Sequence, residues 1–102
     1  MAQVIWTELA LSDLNEIAEY IALNNFEAAA QLVQEVFSAV GRLEQHPKSG
    51  RCPPELEGKT RYREVIVGPC RVFYRLEGDK VYILYVMRGE RELRVLLLKG
   101  RK

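Results

Sequence analysis

Arginines at 63, 71, 75, 88, 91 and 94 sit on or beside segments that read as apolar strands, and they are the residues with the clearest chemical potential in the chain. A guanidinium stays charged at any ordinary pH and presents a planar fork of N–H donors that fits phosphate or carboxylate oxygens. Such a set can hold an anion or stabilise developing negative charge. It cannot easily accept a proton, because arginine is too basic to serve as a general base. Few other residues could move a proton. His46 is the only histidine, in an "HP" pair at a predicted helix end and distant in sequence from the arginines, so it reads as a helix-end or loop residue. Tyr62, Tyr74, Tyr82 and Tyr85 fall on strand-like segments and read as core or flanking aromatics. Cys52 and Cys70 lack a Cys-x-x-Cys spacing or a histidine cluster, which predicts two reduced thiols rather than a zinc site. No Gly-x-x-x-x-Gly-Lys loop is present, so neither a metal nor a cofactor is expected.

The charge is unevenly distributed. Residues 1–45 hold seven acids against one base, Arg42, whereas residues 46–102 hold fourteen Lys and Arg against seven Asp and Glu. The basic half suits an anionic partner, either nucleic acid or an acidic protein. The alternative is a pair of solvated helices beside a sheet rimmed with arginine. At 102 residues the chain predicts one domain over 1–102, with 88–102 a tail that a partner could order. No apolar run reaches the ~20 residues of a membrane span, and "MAQVIW" has no signal-peptide pattern, so a cytoplasmic protein is expected.

The elements that position these arginines follow from periodicity. "QVIW" reads as a first strand, and Thr7 as the N-cap of a helix with an apolar stripe at Ala10, Leu14, Ile17, Ala18 and Ile21. Asp13, Glu16 and Glu19 fall outside that stripe and are expected to face water. Asn25 is expected to cap a second helix with a stripe at Ala29, Val33, Val36, Phe37, Val40 and Leu43. Residues 46–60 hold three prolines and two glycines and read as a loop. Three strands follow, joined at Gly68-Pro69 and Gly78-Asp79. The last is predicted to be central, with Val81, Ile83 and Tyr85 on one face and Tyr82, Leu84 and Val86 on the other. The result is an α+β, β-α-α-β-β-β domain with a helical hairpin on one face of a mostly antiparallel sheet. Alternation puts Val72, Tyr74 and Leu76 under the helices. It puts Arg71, Phe73 and Arg75 on the opposite face, which is expected to be open to water and partners.

In this frame the chain resembles the RelE/ParE superfamily of bacterial type II toxins. The matching features are Trp6-Thr7, "ALSDL" at 10–14, "IAEYI" at 17–21, Ala29-Ala30, "LEQHPKSGR" at 43–51, "REVIVGPCRVFYR" at 63–75 and "VYILYVM" at 81–87. The resemblance implies a cognate antitoxin and one of two targets. RelE-like members cut messenger RNA in the ribosome, for which the candidates here would be Arg63, Arg71, Arg88 and Arg91. In that pattern Val65 replaces the second basic residue, Gly89 stands at an aligned arginine place, and Val95 stands where a tyrosine would move the proton. ParE-like members poison DNA gyrase and need no proton relay. The ParE-like branch is therefore expected. The nominated target- or antitoxin-binding residues are Arg71, Phe73, Arg75, Arg88, Arg91 and Arg94, unless those arginines simply pair with Glu64, Glu90 or Glu92. The alternatives are a ribosome-dependent mRNA endonuclease and an antitoxin-binding module without toxicity.

Overall fold

The computed structural model describes residues 1–56 and 61–89. Strand β1 (Gln3–Trp6) leads into α1 (Glu8–Ala22) and α2 (Phe26–Gly41), which ends in a 3-10 turn at Arg42–Glu44. A second 3-10 turn, Pro54–Leu56, precedes β2 (Tyr62–Val67), β3 (Cys70–Glu77) and β4 (Lys80–Arg88). The sheet order is β1-β4-β3-β2. β1 runs parallel to β4, and the β2–β3 and β3–β4 pairs are antiparallel. The α+β architecture expected from periodicity is therefore the one observed.

Local chemistry accounts for the element ends. The Thr7 hydroxyl accepts the Ala10 N–H at 3.2 Å and donates to the Ile83 carbonyl at 2.8 Å, so one side chain both caps α1 and fastens it to the central strand. Asn25 caps α2 by accepting the Ala28 N–H at 3.0 Å. Gly78 turns β3 into β4 at φ 63°, a left-handed conformation that costs glycine little. Between helices and sheet lies a core that includes Ala10, Leu14, Leu32, Val36, Val40, Leu43, Val72, Tyr74, Val81 and Ile83. Burying each large aliphatic side chain contributes about 1.5–3 kcal/mol.

Three expectations need correction. Phe37 is not a core residue: it is 44% exposed, packs its ring on Trp6 at 5.0 Å, and leaves the core position to Leu32. The two faces of β4 also differ from strict alternation. A bulge shifts the register between Phe73 and Tyr74, pairing Phe73 with Tyr85 but Tyr74 with Ile83. The extra residue in β4 turns Tyr85 to the far face and Val86 to the helix face.

The third correction concerns the face away from the helices, which is not open. Phe73, Leu84, Tyr85 and Met87 form a second buried cluster there, with Leu56, Tyr62 and Tyr82 packed against it. Arg71 and Arg75 lie on this face as parity requires, yet they are only 8% and 4% exposed. The polar, proline-rich character of residues 46–60 hid the 3-10 turn that brings Leu56 onto this face.

Candidate functional site

Glu64 is the organising residue of the far face. It lies on β2 with no exposed surface, and its carboxylate accepts Arg71 Nε at 2.6 Å, Arg71 Nη2 at 3.2 Å and Arg51 Nε at 2.8 Å. Arg71 also forms a bidentate pair with Glu55, Nη1 and Nη2 each at 2.8 Å, and its guanidinium lies 4.9 Å from the Phe73 ring centroid. All three of its nitrogens thus bind carboxylate oxygens. The hydrogen bonds to Glu55 first, and to Glu64 second, hold its proton more firmly than in an ordinary guanidinium. Burial works against that and is outweighed. Arg51, Glu55 and Arg71 border a shallow cleft of about 250 Å³ between the 3-10 turn and β2–β3. An incoming phosphate would have to displace two carboxylates to reach Arg71. A buried charge left without its partner is costly, so the network resists such exchange.

Arg63 points to the other side of β2 and holds backbone rather than substrate. Its Nη1 donates to the Gly50 carbonyl at 2.7 Å and the Lys48 carbonyl at 3.2 Å. The same loop is fastened by Tyr74, whose hydroxyl donates to the Pro47 carbonyl at 2.8 Å and accepts the Gly50 N–H at 2.9 Å. Arg51 and Glu64 complete the attachment with a reciprocal backbone pair at 3.0 and 2.8 Å. Gly50 is obligatory here, because a Cβ would stand 2.5 Å from the Tyr74 hydroxyl and 2.7 Å from the Glu64 carbonyl oxygen. Burial raises the Tyr74 phenol above its usual value, although the Gly50 hydrogen bond and Arg63 oppose the shift.

The remaining nominated residues separate. Arg75 lies 4.8 Å from the Tyr82 ring centroid and reaches Glu77 at 3.1 Å. Its buried Nε has no hydrogen-bond partner among the described residues. Arg88 is exposed on the helix side of β4, with its guanidinium 5.1 Å from the Tyr20 ring centroid. Arg91 and Arg94 lie outside the described residues. Phe73, expected at a partner surface, has no exposed area. The nominated set is therefore not one patch: Arg71, Phe73 and Arg75 are buried on the far face, and Arg88 belongs to the helix face.

The roles of Glu55, Gly50 and Asp13 were missed in the sequence. Asp13 does not simply face water; its carboxylate accepts the Val86 N–H at 3.1 Å. β1 ends opposite Ile83, so β4 continues beyond its parallel neighbour and Asp13 satisfies part of the uncovered edge. A carboxylate off the apolar stripe gives no sign of that in a helical pattern. Among the described residues no group of three or more His, Cys, Asp or Glu could hold a metal ion, and no helix is long and apolar enough to cross a membrane.

These features can be set beside known proteins. Residues 4–93 match the family described as the ParE toxin of the type II toxin-antitoxin system, parDE. The chain is 32% identical to Toxin RelE2 of Caulobacter vibrioides, over 89% of this chain and 99% of that relative. It is 31% identical to Toxin ParE3 of the same organism, over 97% and 98%. A solved structure described as the chromosomal ParDE TA system from P. aeruginosa superposes with a TM-score of 0.72 at 27% identity, covering 88% of this chain and 98% of that one. With the matched region spanning both helices and all four strands, the chain belongs to the ParE toxin family of type II toxin–antitoxin systems, within the RelE/ParE superfamily.

Proposed function

We propose that this toxin acts on DNA gyrase rather than cutting messenger RNA on the ribosome, and that a cognate antitoxin neutralises it. The observation that carries the choice of target is the state of Arg71. An RNA-cleaving site would need this cation for the scissile phosphate, yet its nitrogens are occupied by Glu55 and Glu64. Arg63 is likewise engaged on the Lys48 and Gly50 carbonyls. Val65 and Val95 add no cation and no proton carrier. General acid–base help is worth about 10²–10⁴-fold in rate, and nothing at these positions supplies it. A gyrase poison needs only a surface that holds an enzyme–DNA intermediate. The family match to ParE supports the same choice.

The antitoxin surface lies on the helical hairpin. Phe26, 75% exposed, lines a groove with Ala18, Ala22, Ala29, Ala30 and Val33, and Tyr20 and Leu23 of the same hairpin are 58% and 79% exposed. An exposed apolar patch of this kind marks a protein contact. Arg88 places a cation beside Tyr20 on the first helix of the hairpin. The test of target is cleavage of message on programmed ribosomes. The unmodified toxin and Val95→Tyr should both leave the message intact, while efficient A-site cleavage by the unmodified protein would overturn the gyrase reading. Hydrogen exchange in the complex should protect the hairpin; protection confined to β2 and β3 would place the antitoxin elsewhere.

A further inference from the structure

We propose that the loop at residues 46–51, together with Arg61, is a binding surface for the phosphate backbone of duplex DNA. Two independent observations meet there. The first is rigidity without a packing reason at the loop's tip. Lys48 and Ser49 are exposed, yet the backbone around them is held at Pro47, Lys48, Gly50 and Arg51 by Tyr74, Arg63 and Glu64. A loop already ordered in the free protein loses less conformational entropy when it binds.

The second observation is charge left without compensation. Lys48 and Arg61 are exposed, and no ion pair of theirs exists among the described residues. Arg51 commits only Nε to Glu64, and its side chain is 58% exposed. The nearby acids Glu64 and Glu55 are already shared with Arg71. Glu44, in the preceding turn, and Glu57, outside the described residues, are the remaining carboxylates close in sequence. Arg61 directly precedes β2 and stands two residues before Arg63, whose guanidinium grips the loop.

The character of the patch selects the ligand. A protein partner would need a desolvated apolar or aromatic anchor, and His46, Lys48, Ser49, Arg51 and Arg61 offer none. Ammonium and guanidinium donors on a fixed backbone suit phosphate oxygens, which position a duplex without reading its sequence. The setting, DNA held by gyrase, rests on the target proposed above; the DNA contact itself does not.

The test is fluorescence anisotropy of the antitoxin-free full chain with a labelled mixed-sequence duplex, across a salt series. Each phosphate neutralised contributes about −0.9 to the slope of log affinity against log salt. Lys48→Gln/Arg61→Gln should therefore make the slope shallower by about 2 and, near physiological salt, weaken binding by more than about tenfold. Antitoxin affinity should stay unchanged, which shows that the variant is folded. Lys80→Gln, an exposed cation at the start of β4 and outside the loop, should leave the slope as it is. Tyr74→Phe keeps every charge but loosens the loop, so it should weaken binding several-fold at unaltered slope. An unchanged slope in the double variant overturns the proposal. So does a double variant that binds DNA normally while losing affinity for the antitoxin, which would assign the surface to an acidic protein. Gyrase inhibition without the slope change overturns this inference alone, whereas the slope change with unaffected gyrase overturns the target alone.

Discussion

Replacing Tyr74 with phenylalanine removes one oxygen and two hydrogen bonds while leaving the ring in the core. The Pro47 carbonyl, which the hydroxyl reaches at 2.8 Å, belongs to a half-buried residue and can turn to water. The Gly50 N–H, at 2.9 Å from the same oxygen, is buried and loses its partner. Leaving one buried donor unsatisfied costs about 1–3 kcal/mol, most of the expected effect. In a domain of about this size each kcal/mol lowers the midpoint by about 4–8 °C, so Tyr74→Phe should melt about 4–24 °C lower. A companion variant separates this bond from general loosening. Gly50→Ala forces a Cβ within 2.5 Å of the phenolic oxygen and should cost about 1–3 kcal/mol alone. With that oxygen absent part of the clash is relieved, so the double variant should be about 1 kcal/mol more stable than the sum predicts. Urea unfolding of the four proteins gives the cycle. Tyr74→Phe within about 0.5 kcal/mol of the parent, with purely additive double-variant energies, would refute the proposed fastening of the loop.

Other outcomes follow from the same geometry. Glu64→Gln leaves Arg71 paired with Glu55 but weakens three charge-assisted contacts, so chemical denaturation should show a loss of about 1.5–3 kcal/mol. Because the folded Tyr74 phenol ionises above its ordinary value of 10.0, its contribution to stability is complete below pH 10 and lost as pH rises through the folded value. Unfolding free energy should therefore fall above pH 10 in the parent, with a smaller decline in Tyr74→Phe. Asp13→Ala removes a charged acceptor from the Val86 N–H and should cost about 1.5–3 kcal/mol by thermal melting, with faster amide exchange at Val86.

The fold was legible because its signals are local and redundant. Thr7 and Asn25 cap where they were expected, both helical stripes reach the core, and the parity of β3 correctly separates Tyr74 from Arg71, Phe73 and Arg75. What escaped depends on contacts between distant segments. The bulge opposite Phe73 and Tyr74 leaves no mark in a strand apolar on both faces. Burial of Arg71 depends on Glu55, which the 3-10 turn brings to it across 16 residues of chain. The pairing of Arg71 with Glu64 was legible from their charges; that Glu55 and Arg51 also join was not. Arg71 therefore differs from the expected open patch because carboxylates had already taken its donors.

The central claim is the target, and DNA supercoiling by purified gyrase tests it most directly. Purified toxin should block supercoiling or leave cleaved DNA complexes. Normal supercoiling with no cleaved complexes, by a toxin that still arrests growth and binds its antitoxin, would contradict the account.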